Sequence, residues 1–160
     1  MRSTGDVEHR GESDLERADR NWNELLGELR VTQTGVAILF SLLLTVPFSA
    51  RFEDLDAFGK AVYLLALLMS AGSFVVLIAP VAYHRVLFAQ RRKVQIVKVA
   101  NRLALLGLGL LCLTLTSVLL LVADLLLARS AALALAAVFG VVTGALWFVP
   151  ALLQRVRSQL

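Results

Sequence analysis

Long apolar stretches alternate with shorter polar ones along this chain. The apolar stretches cover residues 31–50, 61–83, 103–127 and 131–153. A helix of about 20 residues spans the ~30 Å hydrocarbon core of a bilayer, and each stretch reaches that length. Because backbone polar groups in lipid must be bonded within the segment, we expect helices. The pattern predicts an all-α fold, a four-helix transmembrane bundle.

The distribution of charge supports a membrane protein over a soluble one. Charged residues make up 18% of the chain, against about 25% in typical soluble proteins. They are absent from three of the four apolar stretches, and the exception is Asp124 in 103–127. Burying four such helices in a soluble core would need more covering chain than 160 residues supply.

The polar N-terminal region divides into two parts. Residues 1–12 have mixed charge and few apolar side chains, which predicts a disordered tail. Ser13 and Glu16 then match a capping box. Apolar residues follow at alternating spacings of three and four, at Leu15, Ala18, Trp22, Leu25 and Leu29. We therefore predict an amphipathic helix over 13–30, either lying on the inner membrane surface or packing on a partner helix.

Lysine and arginine are distributed unevenly among the connectors. Of the 16 basic residues, 13 lie in 1–30, in 84–102 and in the short tail 154–160. Positive charge accumulates on the cytoplasmic side of membrane proteins, so both termini and the connector 84–102 are expected there. We predict a multi-pass protein of the plasma or bacterial inner membrane. The net charge of +4 is then a sign of topology and not of nucleic-acid binding.

The connector 84–102 carries basic residues and no acidic ones. Such clusters attract anionic lipid, at about 1 kcal/mol per charge near the surface. We therefore expect the bilayer, and anionic phospholipids in particular, as partners of this connector. Its apolar residues indicate that spans two and three continue into it as helices. The predicted headgroup-binding residues are Arg91, Arg92, Lys93, Lys98 and Arg102.

Three kinds of residue within the spans have predicted packing roles. Pro47, Pro80 and Pro150 lie near the C-terminal ends of spans, where neighbouring groups must satisfy the carbonyls that proline leaves without a donor. Gln33 either bonds to another helix or reaches interfacial water. The hydroxyls are expected to bond their own helix backbone; they belong to Ser41, Thr45, Ser70, Ser73, Thr114, Thr116, Ser117 and Thr143.

Small residues recur every four positions in the fourth span. Gly140 and Gly144 form a GxxxG motif that Ala136 and Ala132 extend. Such a stripe lets two helices approach closely. The motif predicts a packing surface, either within the bundle or between the subunits of a homo-oligomer.

Asp124 is the ionisable residue inside a predicted span. Carboxylates are costly in a membrane, which makes this residue a candidate ion or proton site. It also lies about one turn from the outer end of its span, where it can reach water. A second interpretation is therefore an anchor that pairs with Arg129, Lys60 or Arg51.

No motif for catalysis or cofactor binding is present. The chain lacks a GxxxxGK[ST] loop, a GxGxxG motif, HExxH and CxxC. Its single cysteine, Cys112, cannot form an internal disulfide. We therefore predict that the protein is not an enzyme and has no catalytic residue, metal or cofactor.

Two stretches, residues 23–35 and 79–85, together with the four-span plan, resemble a family of small, uncharacterised bacterial membrane proteins. The resemblance runs from about residue 20 to the C-terminus and implies fold and location, without an activity. Both stretches mix polar and apolar residues at the predicted inner interface. They suggest a polar cytoplasmic-side cluster of Glu24, Glu28, Arg30, Gln33, Tyr83, His84 and Arg85.

Three functions remain open at this point. The first is a non-enzymatic scaffold or regulatory membrane subunit, acting through helix packing with a membrane protein partner. The second is a small transporter or channel; small multidrug exporters carry a glutamate in the first span, where this chain has no acid. Asp124 alone would substitute for that glutamate. The third is a lipid-modifying enzyme with His84 and Glu24 or Glu28 at the interface.

Overall fold

The computed structural model describes residues 14–87 and 93–157, with the side chains of Arg20, Glu24, 26–82 and 99–150. The predicted tail 1–12 lies outside the described residues. Four long helices form the fold: α1 (Asp14–Thr45), α2 (Ala57–Leu87), α3 (Lys93–Leu126) and α4 (Arg129–Arg157). Two short 3-10 turns, Val46–Phe48 and Ala50–Phe52, connect α1 to α2. No strand occurs in these described ranges.

All four helices are long and apolar enough to cross a membrane. The candidate spans are Leu26–Phe48, Ala57–Ala82, Val99–Leu126 and Arg129–Pro150, which confirms an all-α fold with four helices that could span a membrane. Successive helices run in opposite directions. We call the end of the bundle with residues 14–30, 83–87, 93–98 and 150–157 the termini end. The opposite end, with residues 46–60 and 124–131, is the short-loop end.

α1 has no boundary where the sequence suggested one. The predicted amphipathic segment 13–30 and the first span join in one helix of 32 residues. No proline interrupts it, and the glycines at 27 and 35 cost too little to end a helix that packs well. The twelve residues before Leu26 therefore extend about 18 Å beyond the span. The predicted helical extensions of spans two and three are also confirmed, since α2 ends at Leu87 and α3 begins at Lys93.

The core lies between α1, α2 and α3. Near the short-loop end it contains Leu43, Val62, Tyr63, Ala66 and Leu121. Near the termini end it contains Leu29, Val36 and Leu77. α4 packs along the outside of α3 and leaves most of its large apolar side chains exposed, as expected of surfaces that face lipid.

Side chains from neighbouring helices bond backbone carbonyls beside two of the prolines. Pro47 cannot donate to the carbonyl of Leu43, and the Tyr63 hydroxyl on α2 donates to it at 3.0 Å. Near Pro80, the Gln33 side-chain amide donates to the carbonyl of Leu77 at 2.6 Å. The first bond confirms the prediction for Pro47, whose missing N–H leaves the carbonyl of Leu43 without a helical donor. Pro80 leaves the carbonyl of Val76 without a donor, so the bond to Leu77 is a separate link between α1 and α2. Gln33 thus bonds to another helix, the first of its two predicted alternatives.

The hydroxyl prediction is confirmed for five residues. Ser41, Thr45, Thr114, Thr116 and Ser117 donate to carbonyls of their own helix.

The same prediction is wrong for Ser73, which donates to the carbonyl of Gly107 on α3 at 2.8 Å. This crossing bond forms because Gly107 has no side chain and lets the two helices approach. Ser70 is fully buried, and its hydroxyl has no hydrogen-bond partner among the described residues.

Candidate functional site

A network of ion pairs centres on Arg129 at the short-loop end. The Nε and Nη2 atoms of Arg129 each donate to one carboxylate oxygen of Asp124 at 3.1 Å. Nη2 also donates to Oδ2 of Asp56 at 2.8 Å. The guanidinium lies 4.4 Å from the centre of the Phe58 ring, a cation–π contact. One arginine therefore links the start of α2, the end of α3 and the start of α4.

Asp56 has a second role as the cap of α2. Its Oδ1 atom accepts a hydrogen bond from the backbone N–H of Gly59 at 2.8 Å, the contact that an N-cap carboxylate makes with the third helical residue. This bond and the hydrogen bond from Arg129 stabilise the ionised carboxylate. They hold the pKa of Asp56 below its ordinary value of 3.8.

Asp124 is engaged by this network. Its side chain is only 13% exposed, and both of its oxygens accept from Arg129. Arg129 is the first residue of α4, where a positive charge opposes the helix dipole. The two carboxylates offset that cost. This pairing matches the predicted anchor. An ion or proton site would need a free carboxylate, whereas both oxygens of Asp124 are bonded to Arg129.

The small-residue stripe of α4 faces α3 over most of its length. Ala132 and Ala136 are buried. A Cβ atom built on Gly140 would lie 3.0 Å from the Thr116 hydroxyl on α3, so a larger residue there would have to displace Thr116 by a few tenths of an ångström. At Gly144 a Cβ atom would meet nothing within 4 Å. Three of the four small residues therefore pack within the subunit, and Gly144 borders open space.

The predicted polar cluster at the termini end is only partly assembled. Gln33 joins α1 to α2 through Leu77, and Glu28 borders a cleft between the helices. Glu24 is exposed one turn before Glu28 and lies 4.0 Å from Arg20, and Arg30 is also exposed. The side chains of Tyr83, His84 and Arg85 lie outside the described residues, so their part in the cluster stays a prediction.

The cleft at the termini end has a volume of about 220 Å³ and opens between α1, α2 and α3. Its polar groups come from Glu28, Thr32 and Asn101. The Thr32 hydroxyl already donates to the Glu28 main-chain carbonyl at 3.0 Å, and the Glu28 carboxylate and the Asn101 amide are the other polar side-chain groups among the lining residues. Apolar side chains form the remaining walls, at Leu29, Leu77, Ala104, Leu105 and Leu108.

Sequence reasoning missed Asn101 and Asp56. On α3, Asn101, Leu105 and Leu108 follow one another at spacings of four and three residues. This spacing places the polar cleft residue and the two apolar ones on one face of the helix. Asp56 stands directly before an apolar run, the usual place of an N-cap. Both patterns can be read from the sequence, but neither shows which residues of another helix lie beside Asn101 or Asp56.

The predicted lipid-binding residues are incompletely described. Arg102 is exposed on α3. Lys93 and Lys98 belong to the backbone of α3, but their side chains lie outside the described residues, as do Arg91 and Arg92 altogether. Headgroup binding therefore stays a prediction. Within the described part of the chain, no group of three or more His, Cys, Asp or Glu side chains is arranged to hold a metal ion.

Residues 11–151 match the sequence model of DUF6328, a family of unknown function. The chain belongs to DUF6328. No curated protein and no solved structure gives a significant match. The DUF6328 match includes all four spans, the Arg129 network and the cleft, and it confirms the resemblance to an uncharacterised family.

Proposed function

We propose that this DUF6328 protein is a non-enzymatic scaffold or regulatory subunit of a membrane. α1 carries the proposal, because its packing stripe continues beyond the span. Leu29, Val36 and Leu43 are seven residues apart, and all three are buried against α2 and α3. Trp22 and Leu15 occupy the preceding positions of the same heptad. A face that packs inside the membrane thus extends along the helix toward the termini.

A stripe of this kind suits a helical partner. In the extended part of α1, apolar residues on one face and charged residues such as Glu24 on the other form a surface that a second helix can pack against. The partner is a membrane protein of another kind or a second copy of this chain. Because the extended part of α1 is continuous with the buried first span, a partner that moves this part would also move the first span against the core.

Residue 22 tests this proposal in the native membrane. A photocrosslinking amino acid at Trp22 should form one defined adduct with a partner protein or a second copy. The matched control is the same probe at Glu24, two residues along and about 160° around the helix, from the 100° turn per residue. Adducts to lipid alone, or only within the same chain, would contradict the proposal.

Transport is the alternative, and Asp124 is the residue on which it depends. A transported cation or proton needs a carboxylate that can exchange partners, whereas Arg129 bonds both oxygens of Asp124. The anchor role is therefore favoured. Ion or substrate flux in vesicles that changes with Asp124→Asn, but not with the Arg129→Gln variant that breaks the same pairs, would favour transport instead.

We further propose the bacterial inner membrane as the location, with both termini in the cytoplasm. The support is the distribution of charge in the sequence, since 13 of the 16 basic residues lie in 1–30, 84–102 and 154–160. A single cysteine introduced at Ser49 should react with a membrane-impermeant thiol reagent in intact cells, after Cys112 is replaced by alanine. The same reagent should fail to reach a cysteine at Thr4. The reverse labelling would contradict this orientation.

A further inference from the structure

We propose that the cleft between α1, α2 and α3 at the termini end holds one phospholipid with an ethanolamine headgroup. The ammonium binds at Glu28, and part of an acyl chain lies along Leu105 and Leu108. The inference concerns a lipid site and does not depend on the scaffold proposal. Depth, volume and charge each support it.

The depth of the cleft matches the boundary between headgroups and hydrocarbon. Glu28 and Asn101 each lie two residues inside the ends of their spans, which begin at Leu26 and Val99. Leu108 is seven residues further along α3, so it lies about 10 Å deeper. The polar groups of the cleft therefore stand at headgroup level, with the leucines below them. A ligand that matches this order has a polar head and an apolar chain.

The volume indicates a ligand that is only partly enclosed. Pockets that enclose a drug-sized molecule usually measure about 300–1,000 Å³, whereas this cleft measures about 220 Å³. A lipid needs no enclosure, because the rest of its chains remain in the bilayer. The apolar walls are thus sufficient for one segment of a chain.

The charges around the opening favour a zwitterionic head. Glu28 supplies a carboxylate on the α1 side. On α3, Arg102 is exposed directly after the cleft residue Asn101. An ammonium beside Glu28 and a phosphate beside Arg102 pair both charges of the headgroup.

Related lipids fit this arrangement less well. A phosphatidylglycerol head has no cation for Glu28 and brings its negative charge near that carboxylate. A phosphatidylcholine head has the cation, but its trimethylated nitrogen has no N–H to donate. Ethanolamine supplies three N–H donors, as a lysine ammonium does. Preference for ethanolamine over choline is therefore the signature of this site.

Native mass spectrometry of the full chain in mild detergent tests the preference. The protein is titrated in turn with synthetic phosphatidylethanolamine, phosphatidylcholine and phosphatidylglycerol that share the same acyl chains. We expect the first lipid to bind roughly fivefold more tightly than the second, the effect of about one net hydrogen bond. Equal affinity for these two lipids in the wild-type protein would overturn the proposal.

Two variants locate the site. Glu28→Gln should abolish the preference for ethanolamine, whereas Glu24→Gln, at an exposed position one turn earlier, should retain it. Ala104→Phe fills the cleft and should reduce binding of the first bound phosphatidylethanolamine. A preference that survives Glu28→Gln and Ala104→Phe would place the lipid elsewhere on the protein and refute the assignment.

Discussion

The hydroxyl of Tyr63 on α2 donates a 3.0 Å hydrogen bond to the main-chain carbonyl of Leu43 on α1. In an uninterrupted helix that carbonyl would accept from residue 47, which is proline. Tyr63 is 5% exposed, and the edge of its ring contacts Phe52 at a centroid distance of 5.1 Å. Because the surroundings of this carbonyl are apolar, the end of α1 depends on a side chain of α2 for the bond.

Replacing Tyr63 by phenylalanine should therefore destabilise the protein. The ring keeps its packing, but the Leu43 carbonyl loses its donor, and we expect a loss of about 1 kcal/mol in the free energy of unfolding. Reversible unfolding in mixed micelles measures it. Ser41→Ala is the control, because that exposed hydroxyl bonds only its own helix. A Tyr63→Phe protein as stable as the wild type would show that the bond contributes nothing.

Gly107→Ala should separate α2 from α3. A Cβ atom at this position would lie 2.6 Å from Cγ and Cδ2 of Leu77, and Leu77 is fully buried, so it has little room to move. Overpacking of this kind costs about 1–3 kcal/mol, and the displaced backbone would also weaken the bond from Ser73. The same unfolding measurement applies.

Two further proteins distinguish overpacking from a general cost of replacing glycine. Gly144→Ala places its methyl group in open space and should be neutral or slightly stabilising, because alanine is the better helix former. Leu77→Ala leaves a cavity and is destabilising by itself, but Gly107→Ala should cost less in the Leu77→Ala background than in the wild-type protein. An equal cost in both backgrounds would mean that Leu77 is not the residue that resists the new methyl group.

Gln33→Leu should loosen the contact of α1 with α2 at the termini end. The variant keeps a similar volume and removes the donor to the Leu77 carbonyl. Interhelical bonds of this kind contribute about 0.6 kcal/mol on average and up to about 1.7 kcal/mol. Thr34→Val serves as the comparison, because the exposed Thr34 hydroxyl bonds its own helix. Equal unfolding free energies for the two variants would contradict a specific role for Gln33.

The number and position of the helices could be predicted because they depend on local sequence. Uncharged stretches of sufficient length mark the spans. The boundary expected near residue 30 was not found, because the switch from an amphipathic to an apolar pattern changes the surroundings of a helix without ending it. The pattern of polar and apolar residues therefore predicts the apolar spans more accurately than the residues at which the helices begin and end.

Contacts between distant residues could not be predicted in the same way. Asp56 and Arg129 are 73 positions apart, and their pairing depends on how α4 lies against α3. The GxxxG motif is a second example: Gly140 contacts Thr116, whereas Gly144 has open space beside it. Spacing shows that two glycines share a face, but the angle between the helices decides which of them is covered.

The Arg129 network predicts a pH dependence of stability. Asp56 has its pKa lowered in the folded protein from the ordinary value of 3.8, through the Gly59 N–H and Arg129. A carboxylate with a lowered pKa stabilises the fold above its unfolded pKa, and the contribution is lost as the pH falls through the folded pKa. The stability of the wild-type protein should therefore decline below about pH 4.

Asp56→Asn isolates the charge from the cap, because asparagine is an equally good N-cap. The variant should be less stable than the wild type at pH 7, and the difference should shrink as the pH falls below 3.8, the ordinary pKa of the group. Thermal unfolding in detergent between pH 7 and pH 3 measures both effects. Asp54→Asn, an exposed change in the same connector, controls for net charge. Since other carboxylates titrate in this range as well, the test is the difference between Asp56→Asn and the wild type, and a difference independent of pH would argue that Arg129 does not stabilise the Asp56 charge.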